Sequence, residues 1–144
     1  KTPQTSAESC RPKMDEAAIN EDVLRFFRGH EEALPIYEAF HERLAAEPGY
    51  ERRAVQKTQI SYYMRHFFAC VSFTPVRRKA YRPEIWLTVS FGLDHRIDSP
   101  RIDGAVEPYP NRWTHHVMLG DAAEVDDELM AWIDEAASFS AAKR

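Results

Sequence analysis

Hydrophobic and polar residues follow two periods along this chain, and the period changes near residue 50. Apolar residues recur at spacings of three and four across residues 31–46, which predicts a helix with one apolar stripe. Pro35 fits its first turn, where a missing N–H costs little, and Pro48-Gly49 predicts its end. A shorter helix is predicted before it, with Asn20 as the N-cap and Gly29 as its end.

Beyond residue 50 the pattern becomes typical of strands. An extended segment is predicted at 53–62, a buried strand at 67–73, a strand at 84–93 and a last strand at 112–119. The alternation is clearest in the third of these, where one face carries Ile85, Leu87, Val89 and Phe91. Residues 75–83 are predicted to be a loop or hairpin connection, and residues 107–111 a turn cluster.

The chain ends in a predicted helix with acidic residues near its N-terminus. Its apolar face consists of Val125, Leu129, Trp132, Ile133 and Ala136. The connections between the strands are too short for the crossover helices of a parallel sheet. We therefore predict a two-layer α+β domain, with a three- to four-stranded antiparallel sheet and helices packed on one face. Residues 19–144 are expected to form this single domain, and residues 1–18 a flexible N-terminal tail.

The composition agrees with one globular domain of 144 residues, 44% hydrophobic and 29% charged. The longest apolar runs are a few residues, whereas a membrane span needs about 20. The first twenty residues lack the apolar core of a secretory signal. Two cysteines make no disulfide framework, and Cys70 fits a small buried hydrophobe. We expect a cytoplasmic protein without a membrane partner.

Four segments carry a resemblance to a known family. These are residues 26–30 (FFRGH), 57–61 (KTQIS), 91–102 (FGLDHRIDSPRI) and 113–117 (WTHHV). They resemble a bacterial family of domains of unknown function, over roughly residues 21–139. The resemblance implies a bacterial domain without an assigned activity. Some relatives carry a zinc-binding segment before the domain, but only Cys10 precedes it here, so a metal knuckle is not supported.

Charge is distributed unevenly along the chain. Residues 51–82 hold eight Lys/Arg against one Asp/Glu, net +7, whereas residues 1–50 carry −4 and residues 83–144 carry −7. Aromatic residues interleave with these cations, as in platforms that bind phosphates and stack bases. We therefore predict a binding module for an anionic ligand, with nucleic acid as the leading candidate. The alternative is that the cations cover the solvent face of the sheet and pair with acidic helices.

Two further constellations suggest a pocket. On a strand, Trp113 and His115 share one face and His116 lies on the other, so the two histidines cannot easily chelate one metal. Arg96 and Arg101 flank a predicted turn, where their guanidinium groups suit phosphate or carboxylate. The predicted ligand-binding residues are Lys57, Arg65, Arg96, Arg101, Tyr109, Arg112, Trp113, His115 and His116.

Catalytic patterns are weak in this sequence. It has no Gly-rich phosphate loop, no nucleophile elbow and no paired-histidine helix motif. We predict no catalytic residue, no metal and no cofactor, and expect a binding module rather than an enzyme. Two alternatives stay open: a small-molecule binder or enzyme with a pocket around Lys57, Arg96, Arg101, Trp113 and His115 or His116, and a protein-interaction or oligomerisation domain.

Overall fold

A computed structural model describes residues 17–142, so most of the tail predicted at residues 1–18 lies outside the described residues. The helices are α1 (Glu21–Phe26), α2 (Leu34–Ala46) and α3 (Asp127–Ala142). The strands are β1 (Arg52–Val55), β2 (Gln59–Tyr63), β3 (Phe67–Ser72), β4 (Leu87–Leu93), β5 (Gly104–Tyr109) and β6 (Arg112–Leu119). Short 3₁₀ turns occupy Glu31–Ala33, Lys79–Tyr81 and Ala122–Glu124.

The strands form one antiparallel sheet in the order β1-β2-β3-β4-β6-β5. The predicted α+β class is confirmed. The predicted number of strands, three to four, was wrong, because the sheet has six. The extended segment predicted at 53–62 is two strands joined by a turn at residues 56–58, which contains neither Gly nor Pro to mark it.

Strand β5 was missed for a different reason. It is an edge strand whose residues 106–109 are exposed, so it lacks the apolar alternation of a half-buried strand. Pro108 has no backbone N–H and is tolerated there because an edge strand pairs on one side only. The strand pairs with β6 through a hairpin in which Asn111 has a positive φ of 62°.

The predicted helix boundaries have clear local causes. The Asn20 side chain accepts a hydrogen bond from the backbone N–H of Val23 at 2.9 Å, which confirms it as the N-cap of α1. Gly29 follows α1 with φ of 86°, a conformation that glycine adopts without steric cost. Pro35 lies in the first turn of α2, as predicted.

The register of the strands defines a face of the sheet that carries the core. Tyr62, Ala69, Phe91 and His115 lie opposite one another across β2, β3, β4 and β6. From α2, Tyr37 contacts Tyr62, and from α3, Trp132 stacks on Phe91 with ring centroids 6.0 Å apart. Helices α2 and α3 therefore pack on the same face of the sheet.

The opposite face carries small polar side chains in the corresponding row. Ser61, Cys70, Ser90 and His116 are aligned across the same four strands. Cys70 is a buried thiol, in agreement with its predicted role. Burial raises the pKa of Cys70 to about 11, against the opposing effect of a hydrogen bond with Ser90. Within residues 17–142, no helix combines the length and apolarity needed to cross a membrane.

Candidate functional site

A cleft with a volume of about 470 Å³ opens where the β5–β6 hairpin meets the end of β4 and the C-terminal part of α3. We call it the hairpin cleft. Its lining residues are Phe67, Gly92, Leu93, Pro108, Tyr109, Pro110, Arg112, Trp113, Thr114 and Phe139. Three predicted ligand-binding residues, Tyr109, Arg112 and Trp113, therefore come together here. A cleft of this size is typical of small-molecule sites.

Local structure explains how these side chains converge. Tyr109 and Arg112 face each other as the last pair of the hairpin, on either side of the two-residue turn Pro110-Asn111. Trp113 follows on β6, opposite Leu93 at the end of β4. Phe139 reaches the same place from α3 and packs beneath Arg112, whose guanidinium carbon lies 5.3 Å from the ring centroid. Sequence alone could not identify Phe67 and Phe139 as neighbours of this hairpin.

Among the described residues that line the hairpin cleft, four are aromatic and one, Arg112, carries a positive charge. Arg112 is exposed, and within residues 17–142 it forms no ion pair. The described residues that line the cleft include no Asp or Glu. Tyr109 leaves 70% of its surface in solvent, so its ring is accessible to a ligand. The cleft can therefore hold a ring against aromatic side chains and an anionic group against a guanidinium.

His115 lies on the core face and does not line this cleft. It is fully buried, stacks on Phe91 with ring centroids 5.1 Å apart, and its Nε2 accepts a hydrogen bond from the backbone N–H of Ile97 at 3.0 Å. That bond requires a lone pair on Nε2, so the imidazole is neutral with its proton on Nδ1. Burial lowers the pKa of His115. The residue positions the segment after β4.

Lowering the pH from 7.5 to 5.5 is expected to reduce the free energy of unfolding. In the unfolded chain His115 takes up a proton near pH 6.5, whereas its pKa in the folded protein is lower. The unfolded state then binds more protons, so the stabilisation is complete above the unfolded value and is lost as the pH falls below it. Urea unfolding of the wild type and of His115→Gln at both pH values measures this effect.

The variant should lose less stability than the wild type over this pH range. The pKa of His116 is also lowered by burial, but His116 is present in both proteins and cancels in the comparison. An equal loss of stability in the two proteins would show that His115 can be protonated in the fold.

His116 lies on the opposite face, as the alternation along β6 predicts. Its Nδ1 is 2.7 Å from Ser90 Oγ, a hydrogen bond between neighbouring strands. Sequence reasoning missed this pair, because Ser90 and His116 are 26 residues apart and only the register brings them together. Trp113 and His116 do not share a site.

Arg101 supports the fold through α3. Its Nη1 lies 2.8 Å from Asp126 and 3.0 Å from Glu128, and its Nη2 donates to the carbonyl oxygen of Glu124. These contacts engage both terminal nitrogens of its guanidinium group. Arg96 is exposed in the segment after β4, and Arg65 is exposed in the β2–β3 turn. None of these three arginines is among the described residues that line the hairpin cleft.

The other cations of residues 51–82 also lie in different surroundings. Arg53 is buried, and Arg77 forms an ion pair with Asp103 at 2.7 Å. The guanidinium of Arg52 covers the ring of Tyr63 at 3.8 Å. Lys57 is exposed in the β1–β2 turn, at the end of the sheet opposite to the hairpin cleft. There it lines a second cleft of about 400 Å³, the Lys57 cleft, formed by Phe26, Arg28, His30, Lys57, Thr58, Phe73 and Thr74.

A buried polar cluster, which sequence reasoning missed, links α2 to the first two strands. The hydroxyl oxygen of Tyr62 is 2.7 Å from that of Tyr37 and 2.8 Å from His41 Nδ1. Arg53 donates to Tyr37 Oη at 2.9 Å and to the carbonyl oxygens of Ala17 and Ala18. Burial raises the pKa of Tyr62 well above its ordinary value, so it stays a neutral phenol. The sequence signal for this cluster was the i, i+4 spacing of Tyr37 and His41, which places both side chains on one face of a helix.

Asp94, His95 and Glu135 form the grouping of possible metal ligands found within residues 17–142. His95 Nδ1 is 2.7 Å from Asp94 and His95 Nε2 is 3.4 Å from Glu135, and all three side chains are exposed. The two carboxylates face opposite nitrogens of the ring. Each ring nitrogen therefore already has a carboxylate beside it, so the grouping does not by itself indicate a metal ion.

The fold and its clefts together define a class of protein: an α+β domain with a six-stranded antiparallel sheet and an aromatic cleft at one end. The model of the family described as "Domain of unknown function (DUF5655)" matches residues 23–140. The chain belongs to this family, which confirms the resemblance to a family of domains of unknown function. Compared with curated proteins and with solved structures, the chain gives no significant match.

Proposed function

We propose that this protein is a binding module for a small anionic molecule that contains a ring, and that the hairpin cleft is its binding site. The observation that carries the proposal is the convergence of Tyr109, Arg112 and Trp113 in one cleft of about 470 Å³. A ligand ring would pack against the aromatic side chains, and its anionic group would accept hydrogen bonds from Arg112.

The location of the cations favours a small ligand over nucleic acid. A nucleic acid needs a continuous row of exposed cations to neutralise successive phosphates. Arg53 is buried and donates to Tyr37, Arg77 pairs with Asp103, and the guanidinium carbon of Arg52 lies 3.8 Å from the centroid of the Tyr63 ring. One exposed guanidinium beside rings instead fits a ligand with a single anionic group.

Binding of 1-anilinonaphthalene-8-sulfonate, which joins aromatic rings to one sulfonate, tests the proposal by fluorescence titration. Arg112→Gln is expected to weaken binding by about tenfold, the effect of losing a charge-assisted hydrogen bond. Tyr109→Ala is expected to weaken it severalfold through the loss of ring contacts. The neutral analogue N-phenyl-1-naphthylamine should bind more weakly than the sulfonate to the wild type, and Arg112→Gln should abolish that difference.

Two matched controls are available on the same chain. Tyr81 is 70% exposed, as Tyr109 is, but lies in the loop before β4, and Arg96 is an exposed arginine outside the cleft. Tyr81→Ala and Arg96→Gln should bind the probe as the wild type does. If the control variants and the cleft variants bind it with equal affinity, the probe does not use the hairpin cleft and the proposal fails.

A further inference from the structure

The Lys57 cleft lies at the end of the strands opposite to the hairpin cleft. The turn between β1 and β2 supplies Lys57 and Thr58, the segment after α1 supplies Arg28 and His30, and the chain leaving β3 supplies Thr74. These three segments are distant in sequence, and the fold brings them together around a volume of about 400 Å³.

Among the described lining residues of this cleft, Arg28 and Lys57 carry positive charges. Arg28 and Lys57 are exposed, and within residues 17–142 neither forms an ion pair. The described lining residues include no carboxylate. Thr58 and Thr74 add hydroxyl groups, which are exposed and can donate to an anion. Two cations without an ion-pair partner among residues 17–142, together with hydroxyl donors around one cavity, match the chemistry of a phosphate group.

A stack of three rings forms one wall of the cleft. The ring of His30 lies 4.1 Å from that of Phe73 at an interplanar angle of 19°, and the ring of Phe73 lies 5.5 Å from that of Phe26 at 20°. Phe26 and Phe73 are half-buried, so part of each ring surface stays at the cleft. This wall gives the organic part of a ligand an apolar surface beside the cations.

We propose that the Lys57 cleft is a second binding site, which takes the phosphate group of a small phosphate-bearing molecule between Arg28 and Lys57. The site is independent of the hairpin cleft, because the strand register places the two at opposite ends of the sheet. Its ligand differs from a ring-containing monoanion, since two cations match the higher charge of phosphate.

Glu31 is the carboxylate that opposes this binding. Its Oε2 accepts a hydrogen bond from the backbone N–H of Gly29 at 3.1 Å. That backbone hydrogen bond is the main cause of its lowered pKa, and the charges of His30 and Arg28 lower the pKa further. The Glu31 side chain therefore stays negative close to Arg28 and His30. Replacing it with a neutral side chain should strengthen the binding of an anion.

Titration with inorganic pyrophosphate, followed by ¹H–¹⁵N NMR of the full chain, tests the second site. Amide signals of residues 28–30 and 57–58 are expected to shift in a saturable way. Lys57→Gln and Arg28→Gln should each weaken binding by about fivefold to tenfold. Glu31→Gln should strengthen binding. Lys79→Gln, an exposed lysine outside the cleft, is the matched control and should leave the affinity unchanged.

Two further ligands show whether the stacked rings of Phe26, His30 and Phe73 contribute to binding or the phosphate group alone is recognised. A nucleoside monophosphate that binds more tightly than ribose 5-phosphate would support a contribution from the ring wall, and equal binding of the two would support recognition of the phosphate alone. Shifts spread evenly over the surface, or an affinity that Lys57→Gln does not change, would overturn the proposal. A single-stranded oligonucleotide that binds equally well to wild type and Lys57→Gln, while pyrophosphate does not bind, would also overturn it.

Discussion

Replacing Phe91 with alanine is expected to lower the free energy of unfolding by about 3–5 kcal/mol, the usual cost of removing a buried phenyl ring and leaving a cavity. Phe91 has no exposed surface and lies between two rings, since His115 stacks on it from β6 and Trp132 from α3. Its loss therefore weakens both the β4–β6 pairing and the docking of α3. Urea unfolding monitored by circular dichroism measures the change.

Phe91→Leu keeps most of the buried volume and should cost about 1–2 kcal/mol, which gives a measurable variant if the alanine protein does not fold. Tyr81→Ala removes an exposed ring and should change the stability by less than about 0.5 kcal/mol. A loss below about 1 kcal/mol for Phe91→Ala would mean that the ring is not part of a packed core.

The parts of the fold that sequence predicted well are those whose own residues carry the signal. The alternation of Leu87, Val89 and Phe91 predicted β4, and all three are buried. The stripe that includes Tyr37 and Phe40 predicted α2, and Asn20 predicted where α1 begins. Each of these signals comes from residues close together in the chain.

The errors arose where a neighbour, rather than the local sequence, decides the structure. The turn at residues 56–58 has no Gly or Pro, so pairing with β2 is what defines β1 as a separate strand. Strand β5 exposes most of its side chains, so pairing with β6 is what defines it. Hydrogen bonds to an adjacent strand can impose extended structure on residues without a strand pattern. For this reason the sequence pattern predicted fewer strands than the six that the sheet contains.

The predicted site residues also differ in how much of their surroundings the sequence indicates. Tyr109, Arg112 and Trp113 are close in sequence and lie in one cleft. Arg101 and His115 were predicted from residue type, but their roles depend on partners that no sequence spacing shows, such as Asp126 and the backbone of Ile97. Arginine and histidine suit ligands and buried hydrogen-bond networks equally well. Only the positions of their neighbours distinguish the two uses.

Replacing Arg53 with methionine is expected to destabilise the protein by about 2–4 kcal/mol, because buried hydrogen-bond partners would lose their donor. Arg53 is 8% exposed and donates to Tyr37 Oη and to the carbonyl oxygens of Ala17 and Ala18. Methionine fills the space of the aliphatic stem but donates no hydrogen bond. Urea unfolding gives the change in stability, and amide hydrogen exchange near Ala18 shows whether the chain before α1 loosens.

Arg52→Met is the matched control, since it removes a neighbouring arginine whose side chain lies outside the core. Arg52 is exposed and contacts the ring of Tyr63, a cation–π contact worth about 0.5–1 kcal/mol at the surface. The two variants have the same change in charge and composition, so a larger loss for Arg53→Met reports the buried surroundings of Arg53, including its hydrogen bonds. Equal stabilities would mean that the hydrogen bonds from Arg53 to Ala17, Ala18 and Tyr37 do not stabilise the fold. The apolar contacts of α1 with the core would then account for the packing of this end of the domain.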